Sequence, residues 1–308
     1  MQENARAFMM QKDHANAILI LNRALEVEPD NIETRKTLAL NYYLQKNYPK
    51  ALEIITPTLD YEKTDDQCFQ MAGNIYQSSS NDKEAEKVFR KGLKKMPESG
   101  PLYNELGELL ADKNPKDAIK EWEKGIEADP NYANNYLNAS KYYFNNDDKL
   151  WCIVYGEIFL NLDPLNNQTP EIKMMILESY KKLFAEVDLV KANREKNKFG
   201  EAVIDIMNKQ SNVASLGINP ESLTMIRTRF ILDWFNEKSD KFPFKLFDYH
   251  RQLLQAGLFD AYNQWIFGTA QNLSAYQNWT NTHTVEYNDF SKFQKNRVFK
   301  LVTSQYYH

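Results

Sequence analysis

The sequence predicts an all-α protein, and two observations support that prediction. Only 10 of the 308 residues are glycine and 11 are proline, fewer than tight β-hairpins or glycine-rich phosphate loops require. A small residue also recurs at intervals of 33 or 34 residues, at Ala17, Ala51, Ala85, Ala118 and Cys152. An interval of this size is typical of stacked helical hairpins. We therefore expect a helical hairpin that repeats along the first half of the chain.

Charge and composition argue against several functional classes. The net charge is -4 and the pI about 5.7, so the clustered positive charge that nucleic-acid binding needs is absent. The most apolar stretch, Trp151 to Leu162, is interrupted by Gly156 and Glu157, and no apolar run reaches the length of a spanning helix. Four scattered His and two distant Cys predict neither a metal site nor a disulfide framework. We expect no cofactor.

Each repeat predicts two helices. A second set of small residues precedes an apolar or aromatic residue by three, and a proline follows the first set by twelve. The clearest copy reads Phe69-x2-Ala72-Gly73-x2-Tyr76, then Ala85-x3-Phe89, then Pro97. This pattern resembles the tetratricopeptide repeat (TPR). In such a repeat we expect the small residues where two helix axes approach closely, the aromatic beside them, and the proline at the end of the second helix.

The same register divides the chain. Residues 1–164 hold five units, and residues 165–210 read as a degenerate sixth helix pair, with helices at Gln168–Phe184 and Phe199–Met207. Residues 211–308 form a helical C-terminal region with a degenerate TPR-like hairpin, and 19 of the 40 aromatic residues lie in its last 79 positions. This region is either a cap over the apolar end of a superhelix or a small separate helical domain. Its predicted helices are Glu221–Glu237, Pro243–Ala256, Leu258–Gln271 and Ser274 to about Val302.

One charged stretch leaves two interpretations open. Residues 185–198 are longer than the repeat allows, and they are rich in charge at Lys191, Arg194, Glu195, Lys196 and Lys198. A solvated helix extension is the simpler interpretation. A binding lid is the alternative.

The resemblance implies where a partner would bind. In TPR proteins the first helix of each unit lines a concave face along which extended peptides lie. Asn and Gln side chains there offer both donors and an acceptor to a peptide backbone, and solvated helix surface is the simpler interpretation of the same residues. The candidate binding residues on this face are Lys36, Tyr43, Gln70, Asn74, Gln77, Asn104, Glu108, Lys141 and Phe144.

A second candidate site lies in the C-terminal region. Polar residues on two consecutive predicted helices could form a pocket with His250 as an acid or base, or His250 could be hydrogen-bonded within an apolar core. The residues of this pocket are Asp248, His250, Arg251, Asn263 and Trp265. None of the common nucleophile, zinc-protease or phosphate-loop motifs occurs.

We therefore predict a non-catalytic scaffold that binds a protein or an extended peptide. The alternative is a catalytic or small-ligand module at the C-terminal end, with the repeats as a recruiting arm, and self-association is a third possibility. The start at Gln2-Glu3 and the abundance of Asn, Lys and Tyr resemble exported proteins of the Bacteroidetes group. That resemblance implies a periplasmic or exported protein, with the cytoplasm as the alternative.

Overall fold

A computed structural model describes residues 2–186 and 197–308. Within those residues every regular element is a helix, so the all-α prediction is confirmed. The chain forms two compact units, Met1–Ala128 and Asp129–His308. The two cysteines, Cys68 and Cys152, are both buried and unpaired with each other.

The first unit contains four helical hairpins that follow one another along the chain, each packing on the next. The helices are α1 (Gln2–Met10), α2 (His14–Val27), α3 (Ile32–Leu44), α4 (Tyr48–Ile55), α5 (Asp66–Ser78), α6 (Asp82–Lys95), α7 (Gly100–Ala111) and α8 (Pro115–Ala128). A 3-10 helix, Thr56–Asp60, extends α4.

Short polar side chains set the helix starts. Asp13, Asn47, Asp65 and Ser99 each accept a hydrogen bond from the backbone N–H three residues later. These bonds satisfy N–H groups that have no partner within the helix. Residues next to each helix therefore determine where these helices of the first unit begin.

The predicted packing of small against aromatic residues is present. A Cβ atom on Gly73 would lie 2.1 Å from the Phe89 ring, and one on Gly107 would lie 2.2 Å from the Trp122 indole. Such distances are far below van der Waals contact, so only glycine allows the two helices of these hairpins to approach so closely. Phe89 is fully buried as a result.

The second unit begins with a further hairpin and continues with helices of less regular length. Its helices are α9 (Ala133–Asn145), α10 (Lys149–Leu162), α11 (Thr169–Phe184), α12 (Lys198–Asn208), α13 (Ser211–Ala214), α14 (Pro220–Glu237), α15 (Lys245–Gln255), α16 (Phe259–Asn263), α17 (Thr269–Gln271), α18 (Leu273–Thr282) and α19 (Thr284–Asn296). A π-helix, Gln264–Gly268, joins α16 to α17.

Two predicted helices of this unit differ from the structure. The helix expected at Leu258–Gln271 contains the π-helix. The helix expected from Ser274 to about Val302 is interrupted at His283, where φ is -118°, and ends at Asn296. Residues 297–302 have no regular secondary structure, with extended backbone angles at Arg297 and Val302, and precede a short 3-10 helix, Thr303–Gln305. The predicted helix is too long at this end, because the buried residues Phe299 and Leu301 are two positions apart and do not follow the 3.6-residue helical period.

Two sequence predictions are not tested. The division at residues 164 and 210 concerns repeat units, and it stays a prediction beside the two compact units of the structure. The charged stretch predicted as a helix extension or a lid spans residues 185–198, and residues 187–196 of it lie outside the described part of the chain.

Candidate functional site

A groove in the first unit is the candidate binding site. It runs across α1, α3 and α5, the first helices of three successive hairpins, and encloses a cavity of about 510 Å³. The lining residues include Arg6, Met9, Glu33, Lys36, Thr37, Leu40, Tyr43, Gln67, Gln70, Met71, Asn74 and Ile75. Four of the predicted binding residues therefore come together here: Lys36, Tyr43, Gln70 and Asn74.

Lys36 is already paired inside the groove. Its Nζ lies 2.7 Å from Asp65 Oδ2 and 2.9 Å from Gln67 Oε1, and its side chain is only 8% exposed. Burial opposes the charge, but the hydrogen bonds to Asp65 and Glu33 outweigh burial and raise the pKa of Lys36. Lys36 therefore orders the groove wall and stays charged, rather than offering a free cation.

Amide side chains form a polar band beside it. Gln70 Nε2 donates to Glu105 Oε1 at 3.0 Å, and Asn74 also hydrogen-bonds to Glu105. Burial raises the pKa of Glu105, and the neighbouring charge of Glu108 adds to that effect. The Asn74 Oδ1 atom is enclosed and has no hydrogen-bond partner. A buried acceptor without a donor is costly, but this oxygen is enclosed and not exposed to the groove.

Apolar side chains form the remainder of the groove. Leu40 is 37% exposed, and Met9, Met71 and Ile75 also line the cavity. The Tyr43 hydroxyl lies 3.1 Å from Ser78 Oγ. A groove that combines apolar surface with amide groups suits an extended peptide, because side chains and backbone of a peptide need both.

The other predicted binding residues lie elsewhere. Asn104 is buried on α7 and donates to Glu108 Oε1 at 2.9 Å, while Gln77 is half-buried on α5 and outside the cavity lining. Lys141 and Phe144 belong to the second unit. Lys141 Nζ lies 2.7 Å from Gln168 and 2.6 Å from Glu171, and Lys182 Nζ lies 5.3 Å from the Phe144 ring centroid.

The second candidate site is a buried polar cluster. His250 is 3% exposed, and its Nε2 lies 2.8 Å from Glu157 Oε1. The same carboxylate oxygen accepts a hydrogen bond from the Tyr262 hydroxyl at 2.8 Å and another from Arg227. Arg227 also donates to Asn263 Oδ1. Hydrogen bonds thus satisfy every charge in this cluster, as buried charges require.

Burial and the neighbouring charges within the cluster shift the pKa values of Glu157 and His250. Burial opposes ionisation of Glu157, but Arg227 and His250 outweigh it and hold its pKa at about 2. Burial lowers the pKa of His250, and the attraction of Glu157 offsets this only in part. The adjoining cavity has a volume of about 20 Å³, which has room for one water molecule. This geometry favours the core interpretation of His250.

The predicted C-terminal pocket is therefore divided. His250 and Asn263 lie in the buried cluster, whereas Asp248 and Arg251 pair with each other at 3.4 Å near the surface. Trp265 borders the buried cluster, because its ring stacks on Tyr262 with centroids 5.9 Å apart, and Lys173 Nζ lies 4.1 Å from the Trp265 ring centroid.

Three members of the cluster, Glu157, Arg227 and Tyr262, were not among the predicted site residues, and the two charged ones stand out. Glu157 interrupts the most apolar stretch of the sequence, and Arg227 lies in the middle of α14, where both are buried. A charged residue within a buried helix is the signal that could have found them, because such residues are rarely buried without a partner.

Comparison with known proteins supports the repeat assignment. Residues 10–92 match the family model described as "Anaphase-promoting complex, cyclosome, subunit 3", a TPR-like family. These residues span α2 to α6, where the sequence interval and the observed hairpins agree. The chain carries tetratricopeptide repeats.

Individual relatives are similar over parts of the chain. BBSome complex member BBS4 of Bos taurus is 31% identical over 102 residues, which cover 33% of this chain and 20% of that protein. The chain thus spans about a fifth of this relative. A tetratricopeptide repeat protein from Parabacteroides merdae ATCC 43184 is 15% identical, with 82% and 95% of the two chains covered and a TM-score of 0.44. YrrB, a TPR protein with an unusual peptide-binding site, is 16% identical, with 58% and 90% covered and a TM-score of 0.40.

None of the helices within residues 2–186 and 197–308 is long and apolar enough to cross a membrane. In the same residues, no group of three or more His, Cys, Asp or Glu side chains is placed to hold a metal ion.

Proposed function

We propose that the TPR chain is a non-catalytic scaffold that binds an extended segment of a partner protein in the groove across α1, α3 and α5. One observation carries the proposal: the groove gathers the amide side chains of Gln70 and Asn74 and the 37% exposed Leu40 around one cavity of about 510 Å³. A peptide side chain would cover Leu40. Lys36 and Glu105 hold the surrounding walls in place through their hydrogen bonds.

A matched pair of variants tests this role. Peptides that bind the chain are first selected from a displayed random peptide library, and their affinity is then measured by fluorescence anisotropy. Leu40→Asp places a charge in the groove and should weaken binding by about tenfold or more, since charge is depleted at interface cores. Leu19→Asp makes the same change on α2, outside the groove, where Leu19 is 49% exposed. Equal affinities of the two variants would reject the groove.

The catalytic alternative has a separate readout. If the C-terminal region is a catalytic or small-ligand module, His250→Ala should abolish a measurable turnover or ligand affinity. The burial of His250 and its hydrogen bond to Glu157 support loss of stability instead. Self-association, the third possibility, would appear as a concentration-dependent mass in light scattering.

Export also remains part of the proposal. It is supported by compositional resemblance alone, and fractionation of the source cell with an antibody to this chain would test it. Recovery of the protein in the cytoplasm would reject export and leave the groove proposal intact.

A further inference from the structure

The C-terminal segment Arg297–His308 packs within the second unit, and its first part does so as an extended peptide lies in a binding site. Buried and exposed residues alternate over residues 298–302: Phe299 and Leu301 are 8% and 6% exposed, whereas Val298 and Val302 are 74% and 50% exposed. A period of two is the signature of extended backbone with one face against a surface. One face of residues 298–302 thus packs against the second unit, and the other face is exposed.

A single amide side chain binds the backbone of this segment. Asn131 Oδ1 accepts from the Leu301 N–H at 2.9 Å, and Asn131 Nδ2 donates to the Leu301 carbonyl at 3.2 Å. Because both bonds go to main-chain atoms of Leu301, they would hold an extended peptide whatever side chain it has at this position.

Aromatic side chains receive the remainder of the segment. The Tyr307 ring stacks on Phe199 with centroids 4.5 Å apart, and its hydroxyl donates to the Pro243 carbonyl at 2.7 Å. The His308 ring meets Trp151 edge-on at 4.5 Å. Tyr143, Trp151, Phe199 and Tyr249, together with Asn131, are called the aromatic groove below.

The segment fills this groove incompletely. A cavity of about 230 Å³ remains beside the segment, with Tyr249, Arg297 and Phe299 in its lining, and the enclosed Gln294 Nε2 next to it has no hydrogen-bond partner. Backbone that is held by side chains, with a cavity beside it, opens at lower free energy than a packed helix does.

We propose that the aromatic groove is a second peptide-binding site, which the chain's own residues 297–308 occupy until a partner segment of the same chemistry replaces them. The partner is an extended protein segment with two apolar residues two positions apart, followed six residues after the second by a tyrosine. This site lies within the second unit and does not depend on the groove of the first unit.

The test uses the full chain and a labelled synthetic peptide of residues 297–308. In the native chain the attached segment competes at high effective concentration. Leu301→Asp should release it, so the peptide should bind this variant about tenfold or more tightly than the native chain. Val302→Asp is the matched control, because Val302 faces solvent and its change leaves the segment in place. Fluorescence anisotropy measures both affinities.

A third variant locates the bound peptide. Adding Asn131→Ala to Leu301→Asp should weaken the peptide by about fivefold, since two backbone hydrogen bonds are lost. If Leu301→Asp gains no affinity, or Asn131→Ala does not reduce it, the segment is a permanent structural strap and the proposal is wrong.

A measurement on the native chain covers the case in which Leu301→Asp does not fold. Excess unlabelled peptide should accelerate hydrogen exchange at the Leu301 amide of a ¹⁵N-labelled native chain, whereas a peptide with Phe299→Ala and Leu301→Ala should not. Equal exchange with both peptides would overturn the proposal. A doubled mass of the native chain in light scattering would assign the groove to a second copy and would equally overturn the partner-segment assignment.

Discussion

At the residue scale, the turns inside the TPR hairpins hold the chain in the left-handed backbone region. Lys46, between α3 and α4, has φ 58°, and Lys12 and Ser80 have φ 60° at the equivalent turns. This conformation costs a residue with a Cβ about 1–2 kcal/mol. None of the three is glycine, so sequence inspection for turn residues does not find them.

Lys46→Gly should therefore stabilise the chain. Lys46 is exposed, and glycine removes the steric cost while adding some entropy to the unfolded chain, for a net gain of about 0.5–1 kcal/mol in the free energy of unfolding. Urea denaturation measures the change. Lys46→Ala retains the Cβ and should show no such gain; a gain as large as that of glycine would contradict the strain at this turn.

At the element scale, Glu157 joins four helices of the second unit. Its carboxylate on α10 accepts hydrogen bonds from Arg227 on α14, His250 on α15 and Tyr262 on α16. Asn161, one turn further along α10, donates to the Tyr262 hydroxyl at 2.7 Å. The cluster thus fixes how these helices pack, which the apolar stripes alone leave open.

Glu157→Gln should destabilise the chain strongly. The change leaves the Arg227 guanidinium buried without its counter-charge, which typically costs about 3–5 kcal/mol. Glu237→Gln is the matched control, because Glu237 pairs with Lys209 at 2.5 Å on the surface and such pairs contribute about 0–1 kcal/mol. Comparable losses in urea denaturation would mean that the buried cluster carries no special role.

At the scale of the whole molecule, one buried lysine links stability to pH. Lys173 Nζ donates to the Trp265 carbonyl at 2.6 Å, within the π-helix. Burial lowers the pKa of Lys173 from 10.5 to about 7. Between these values the unfolded chain binds more protons than the folded chain, so the free energy of unfolding rises with pH. Below pH 7 the lysine is protonated in both states and adds no slope.

Lys173→Met should remove this slope. Relative to the native chain, the variant should lose up to about 1.4 kcal/mol per pH unit of pH-dependent stabilisation above pH 7. Urea denaturation at pH 7 and pH 9 measures the difference. Lys181→Met, on the same helix but at a side chain 41% exposed, should retain the native slope. Equal slopes for the native chain and Lys173→Met would reject the lowered pKa.

Much of the first unit could be predicted from local sequence. The interval between Ala51 and Ala85, the glycine at position 73 and the aromatic at position 89 specify a hairpin because they lie within one or two helices of each other. The TPR resemblance implied that Lys36, Tyr43, Gln70 and Asn74 share one face, and all four line the groove. The resemblance could not show that Lys36 is already paired with Asp65, since that depends on the next hairpin.

The sequence by itself determined the helical class and the TPR hairpins, because both follow from a short period. Only the tertiary structure decided the hydrogen-bond partners of His250 and the course of residues 297–308. His250 and Arg227 meet Glu157 across 93 and 70 residues, and Asn131 meets Leu301 across 170. Contacts at such separations depend on how distant helices pack, and no local pattern records them.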